Sequence, residues 1–238
     1  MKRASCIWPS VLVLLSAPLG LAACGGGVPV RLTIDEFTME VSLDKTMDTL
    51  FGQFAAQGLF PAGSRALPVL WPASLPDIQY RAMFTAPPVP VDLTPEPGTP
   101  EADKYAQINK VKNAIRRIEI NRLILRLEQN SLTVALPELK LQIADEPTAS
   151  PLDRLAWRTV GVLPAAEAGA VSDLELEFVP SGESFLDGQL SDAAKELAIR
   201  IVGKVDIDTA REKRLPSGRA VVRLILVATF FVEPDKVL

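Results

Sequence analysis

Apolar and polar residues alternate over much of this 238-residue chain, and the alternation changes parity at a few defined points. Within residues 30–43, Val30, Leu32 and Ile34 share one face, and Phe37, Met39, Val41 and Leu43 resume on the opposite parity. Successive side chains of a strand project to opposite faces, so this pattern predicts a strand with a bulge at Asp35-Glu36. Met47, Leu50, Phe51 and Phe54 then fall at helical spacing, with Asp44 placed to cap the helix and Gly58 to end it. Ile118 and Ile120 give way to Leu123, Leu125 and Leu127, a second parity-shifted strand ended by the polar turn Gln129-Asn130-Ser131. Residues 132–143 read as a strand bent at Pro137, and residues 155–163 and 173–179 as two more. Ser191 is placed to cap a short helix reaching Ala198. The last two strands, 199–207 and 219–232, read as one long antiparallel ribbon around Pro216-Ser217-Gly218, with the final strand central in its sheet.

Ten of the chain's 20 prolines lie between residues 61 and 100, which breaks regular structure there. Its large apolar residues argue against a plain linker. We read residues 61–90 as an ordered Pro-rich arm with short edge-strand pieces, residues 92–102 as its mobile tip, and residues 105–113 as a short helix. Seven or more strands, few helices and closely spaced turns give a mainly β chain, an antiparallel β-sandwich with one or two short helices and the Pro-rich arm 61–102. Asn130, in a turn between strands, and Gly203-Lys204-Val205 resemble features of the immunoglobulin-like sandwich of late-embryogenesis-abundant-type proteins.

The amino terminus has a different pattern. Lys2 and Arg3 precede an apolar stretch over residues 7–21, followed by the small pair Ala22-Ala23 and then Cys24, the layout of a secretory leader. Pro9, Pro18 and Gly20 interrupt an apolar stretch already shorter than the ~20 residues a membrane span needs. Leu21-Ala22-Ala23-Cys24 resembles the bacterial lipobox. That resemblance implies export, acylation of the Cys24 sulfur and cleavage before it, so residues 1–23 form a lipoprotein signal peptide. It implies attachment to a membrane through N-terminal acyl chains and, with Gly25 rather than aspartate after the cysteine, the outer membrane rather than the inner. An ordinary cleaved leader is the rival reading, and it would leave Cys24 as a free thiol in an oxidising compartment. Residues 24–29 then form the lipidated cysteine and its glycine tether, and residues 30–238 a single β-rich domain.

Composition narrows the chemistry. The formal charge is −4 and becomes −6 once Lys2 and Arg3 leave with the leader, which argues against a nucleic-acid partner. Hydrophobic content of 48% indicates a folded domain. The absence of histidine removes histidine-based triads and the commonest zinc and haem ligands. Cys6 lies in the leader and Cys24 at its end, so the remaining domain has no thiol for a disulfide or a soft metal. We expect no cofactor, no metal and no catalytic residue.

Several constellations admit both a chemical and a simpler reading. Ser42-Leu43-Asp44-Lys45 matches the S-x-x-K pattern of serine-lysine hydrolases but lacks its S-D-N and K-T-G companions, and serine at a strand-to-helix junction is an ordinary cap. Glu175 with Glu177, and Asp206 with Asp208, would share strand faces as carboxylate pairs for acid-base work or calcium, or simply as solvated outer faces. Asp35-Glu36 and the basic run Lys110, Lys112, Arg116, Arg117 have the same bland alternative. Trp71, Tyr80, Met83 and Phe84, large residues in the arm, are the candidate binding surface. The expectation is a lipid-anchored envelope protein with a non-enzymatic binding or accessory role and an envelope protein or lipid as partner. The alternatives are a carrier of lipid or another amphiphile in an apolar cavity and, third, a serine-lysine hydrolase.

Overall fold

Strands with one apolar face must bury it against a second layer, and here two antiparallel sheets face each other as a β-sandwich. The computed structural model describes residues 27–60, 64, 66–92, 114–146, 148–150, 152–153, 155–191 and 196–233. Cys6, the leader, Cys24, the arm beyond residue 92 and the helix expected at 105–113 lie outside the described residues. The described elements are β1 (Val28–Ser42), α1 (Leu43–Ala56), β2 (Gln79–Thr85), β3 (Val89–Asp92), β4 (Ile115–Asn130), β5 (Leu139–Ala144), β6 (Arg158–Leu163), β7 (Asp173–Glu175), β8 (Glu177–Phe178), α2 (Gly182–Ser191), β9 (Glu196–Asp208) and β10 (Arg219–Val232).

One sheet has the order β1-β10-β4-β7; the other runs β2-β9-β5-β6-β8, with β3 also paired to β9 beyond the end of β2. The register of β1 against β10 breaks between Ile34 and Phe37, where the parity switch predicts it. The register of β4 against β10 shifts at Asn121, so Ile120 and Leu123 both reach the core. β10 lies between β1 and β4, the central position expected of it.

Four expectations need correction. β9 and β10 do not form a ribbon: they belong to opposite sheets, and the connection between them crosses the sandwich. Alternation cannot separate the two cases, because a strand presents the same inward face to a neighbour's side as to an opposing sheet. The strand over residues 173–179 is cut at the buried Leu176, with β7 on β4 and β8 on β6. Gly161 permits this crossing, since a Cβ there would lie 2.6 Å from the Leu176 side chain. Residues 132–136 form a loop with one isolated bridge, Leu136 to Ala166, and regular pairing starts only at Leu139. The second helix, α2, ends at Ser191, where its cap is expected, and Ala198 lies in β9, while residues 192–195 fall outside the described residues.

Of the two residues read as caps of α1, one takes the position. Ser42, not Asp44, is the N-cap, its Oγ accepting from the Lys45 amide at 3.3 Å. Asp44 Oδ1 instead accepts from the Gly218 amide at 2.8 Å and holds the β10 approach against the helix start. Gly58 ends the helix as expected: at φ 74° it donates to Ala55 O while Leu59 donates to Phe54 O, the paired closure of a Schellman motif.

The arm is ordered where it is described, and it supplies two edge strands, β2 and β3. Trp71 is buried edge-on against Phe54 and Phe60, and its Nε1 donates to Pro76 O at 3.1 Å. Phe84 is buried over Gly203 in the core. These two residues of the candidate surface are therefore packing residues: tertiary burial claimed them although the prolines hid their periodicity. The apolar space bordered by Ile34, Phe37, Leu141, Ile199 and Leu226 amounts to about 30 Å³, room for roughly one water. An acyl chain does not fit at that place between the sheets.

Candidate functional site

Because inward residues of β2, β5 and β9 are apolar, their alternate residues all point out from the six-stranded sheet. On β2 these are Arg81, Met83 and Thr85; on β9, Arg200, Val202, Lys204 and Asp206; on β5, Lys140 and Gln142. Together with Pro137, Glu138 and Leu152 they line a groove of about 940 Å³ across the sheet, within the range of ligand and peptide clefts.

The register sets the rungs of this surface. Arg81 lies opposite Asp206, Met83 opposite Lys204, and Val202 between Thr85 and Lys140. Arg81 grips Asp206 with two hydrogen bonds, of 2.5 and 3.0 Å. That contact holds the Asp206 carboxyl below the usual carboxylate range and raises the Arg81 guanidinium. Lys140 and Lys204 make no ion pair among the described residues.

At the other end stands Arg200, only 6% exposed. Its guanidinium lies 4.0 Å from the Trp157 ring centre, its Nε donates to Gln142 Oε1 at 2.9 Å, and Gln142 Nε2 donates to Thr159 Oγ1 at 3.1 Å. Burial pushes the Arg200 pKa down, yet a guanidinium stays charged at any physiological pH. Trp157 in turn donates to Ser150 O at 2.9 Å, which fastens the loop between β5 and β6 beside the groove. Leu152, 90% exposed, stands on that loop as an apolar wall, and Met83, 54% exposed, faces it from the edge strand. The site is thus cationic and apolar in an otherwise acidic chain.

Of the candidate surface residues, Met83 lies in the groove, whereas Tyr80 points toward α1, its ring edge-on to Phe54 and its hydroxyl 3.4 Å from Gln53 Oε1. The sequence pattern does not single out Arg200, Trp157, Lys140 or Leu152. An arginine between the buried Ile199 and Ile201 was the available signal.

The remaining candidates are dispersed. Lys45 Nζ lies 3.4 Å from Glu40 Oε1 while Ser42 caps α1, so the lysine ammonium is engaged away from the serine hydroxyl. Glu175 is bound by Arg122 through two hydrogen bonds of 2.8 and 3.0 Å, which hold its pKa down, and Glu177 belongs to the other sheet. Asp208 accepts from Gln79 and from the amides of Ala210 and Arg211. Among the described residues no group of three or more acidic or thiol side chains gathers as a metal would require. Asp35 and Glu36 sit at the β1 bulge. Arg117 is bound to Glu119 at 2.8 Å and lies over Phe231, while Lys110 and Lys112 fall outside the described residues.

No protein-family model matches the chain, and no curated protein matches it. Among solved structures, the chain is similar to one in the cryo-EM structure of Mud crab tombus-like virus, at 10% identity over 100% of this chain and 98% of that one, TM-score 0.37. It is also similar to a chain of T=3 Penaeus vannamei nodavirus, at 11% identity over 99% and 63%, TM-score 0.32. A third, from a semi-empty particle of Macrobrachium rosenbergii nodavirus, shares 10% identity over 87% and 97%, TM-score 0.30. Likeness at this level carries nothing over to the present chain.

Proposed function

We propose that the chain is a lipid-anchored protein of the bacterial cell envelope, acylated at Cys24, whose sandwich serves as a non-enzymatic binding module. The observation that carries this reading is the Leu21-Ala22-Ala23-Cys24 sequence behind a basic-headed apolar stretch. The groove supports the second half of it. With Arg81 bound to Asp206, Lys140 and Lys204 are the lysines that line it, beside Glu138 and the engaged Arg200. Met83 and Leu152 are exposed beside them. Large apolar side chains flanked by cations suit an acidic polypeptide segment that places one apolar residue between them.

Two measurements test the reading. Mass spectrometry of the mature amino terminus should find acyl chains on Cys24, and the C24S chain should leave the membrane fraction. A native pull-down from detergent-solubilised membranes should return a reproducible partner that the K140E/K204E protein loses. A partner retained by that variant removes the groove from the reading, and an unacylated Cys24 removes the anchor.

A further inference from the structure

The first strand begins almost at the proposed anchor. β1 is paired with β10 from its first residue, Val28 opposite Val232, and Gly27 already lies against that strand end: a Cβ there would fall 2.7 Å from Val232 O. Only Gly25 and Gly26 separate this packed residue from Cys24. Three residue steps reach at most ~11 Å. The headgroup layer beneath is itself ~5–7 Å deep. The end of the four-stranded sheet therefore has to meet the headgroups.

That end is built to be there. The apolar inner face of β1 runs out past the core, with exposure rising from 8% at Ile34 to 36% at Val30 and 53% at Val28. Beside it, Phe231 opposes both Pro29 and Arg117, whose guanidinium lies 4.2 Å over the ring. An arginine on an aromatic at a polar boundary keeps its stem in apolar contact and its head hydrated. Of the acids at this place, Glu119 is bound to Arg117, and Glu233, next to Val232, is engaged as well.

The strand register then sets the height of the groove. Ile34 and Phe37 of β1 lie level with Leu197 and Ile199 of β9, bordering the same interior space. From there β9 runs toward the α1 end, where Tyr80, opposite Ile207, meets Phe54. Val28 to Lys204 thus spans some 13 strand positions, roughly 40 Å at ~3.3 Å each.

Resting on the anchor reading above, we propose that the domain stands on its β1-β10 end, with Val28 and Val30 in the headgroup layer and the groove rising from roughly 30 Å above that end at Arg200 to roughly 40 Å at Lys204. The occupant of the strand end is the same bilayer that holds the acyl chains, and the groove faces the aqueous envelope.

The test uses the acylated protein in vesicles of phosphatidylethanolamine and phosphatidylglycerol, with a single new cysteine carrying a fluorophore at position 30, at 83 in the groove, or at 69, an exposed site two residues before Trp71 at the α1 end. Cys6 leaves with the leader and Cys24 is blocked, so each variant has one reactive thiol. Brominated lipids should quench the probe of V30C at least three-fold more than those of V69C and M83C. Equal quenching at all three positions, or strongest quenching at 83, overturns the standing pose while acyl chains on Cys24 leave the anchor intact. Absence of acyl chains by mass spectrometry overturns both.

Discussion

Replacing Gly203 with alanine probes what holds the edge of the groove in place. β2 is joined to its sheet through β9 alone, and Phe84 lies directly opposite Gly203. A Cβ at 203 would fall 2.2 Å from Phe84 Cζ, 2.7 Å from its Cε1 and 2.8 Å from Leu139 Cδ2. Ordinary carbon contacts lie near ~3.5–4.0 Å, so the ring must retreat by about an ångström or more. Phe84 is buried, so that retreat displaces core neighbours. Overpacking of this kind costs about 1–3 kcal/mol, against about 0.4–1 kcal/mol regained by restricting the unfolded chain. A net loss of about 1–2 kcal/mol remains. Urea unfolding followed by the fluorescence of Trp71 and Trp157, both buried, should read it. Phe84→Leu removes the ring tip, so in that background Gly203→Ala should cost almost nothing, a coupling of about 1 kcal/mol or more where independent sites add to within ~0.5 kcal/mol. Simple additivity, or a Gly203→Ala protein more stable than wild type, would refute the packing argument.

Asn130 donates to Ala170 O at 3.0 Å and Glu167 O at 3.4 Å while accepting from the Leu132 amide at 3.1 Å. Asn130→Asp turns the donor into a second acceptor facing two carbonyls and should cost about 1–3 kcal/mol in urea unfolding, with a loss under half of that counting against the assigned network. Ser42→Ala removes the α1 cap and should cost about 1 kcal/mol, whereas Asp44→Ala should loosen the Gly218 loop, seen as faster amide exchange at Gly218 with α1 intact. Partial burial holds Asp187 above the usual carboxylate range; Glu183 and Glu119 add to this, while the Ile120 backbone and Arg117 oppose it. The folded protein therefore binds more protons than the unfolded chain just above pH ~4, and stability falls as pH rises through the raised pKa. Asp187→Asn should remove that part of the slope. Stability profiles of variant and wild type that stay parallel above pH 4 would exclude the shift.

Much of the sandwich can be read from individual positions. The parity switch around Asp35-Glu36 and the shift between Ile120 and Leu123 become bulges because an extra residue keeps both flanking apolar runs facing the core. The spacing of Met47, Leu50 and Phe54 likewise becomes the buried stripe of α1. What escapes the pattern is long-range choice. Nothing local tells β10 to pair with β1 and β4 rather than with β9, and the short turn at Leu176 looks like one strand until its halves find different sheets. Trp71 and Phe84 escaped for a related reason: prolines mask periodicity, so their burial against Phe54 and Gly203 depends on contacts from distant segments. The groove is assembled from residues near 81, 140, 152 and 203, which no spacing in the chain connects.

The two outer faces of the sandwich differ in how far their charges are already paired, and this difference bears on the proposed groove. On the four-stranded sheet, Arg122 pairs with Glu175, Arg126 with Asp173 and Arg223 with Glu128 at 2.6 Å. Arg126, with Arg122 nearby, holds the Asp173 pKa down and Arg122 that of Glu175, and Ile225 is buried on this outward side. A partner docking there would desolvate charges that already have their counter-ions and would gain little in return. On the six-stranded sheet only one end is closed in this way, by Arg81 and Asp206. Lys140 and Lys204 make no ion pair among the described residues, though Lys204 acts on Asp206 from nearby, and an incoming carboxylate would compensate their desolvation instead of competing with it. Arg200, fixed by Trp157 and Gln142, adds a charge whose ordering cost is met before any partner arrives. On the reading proposed above, selectivity for an acidic partner would come from which charges the fold leaves open, and reversing Lys140 and Lys204 should abolish it while the paired face stays unchanged.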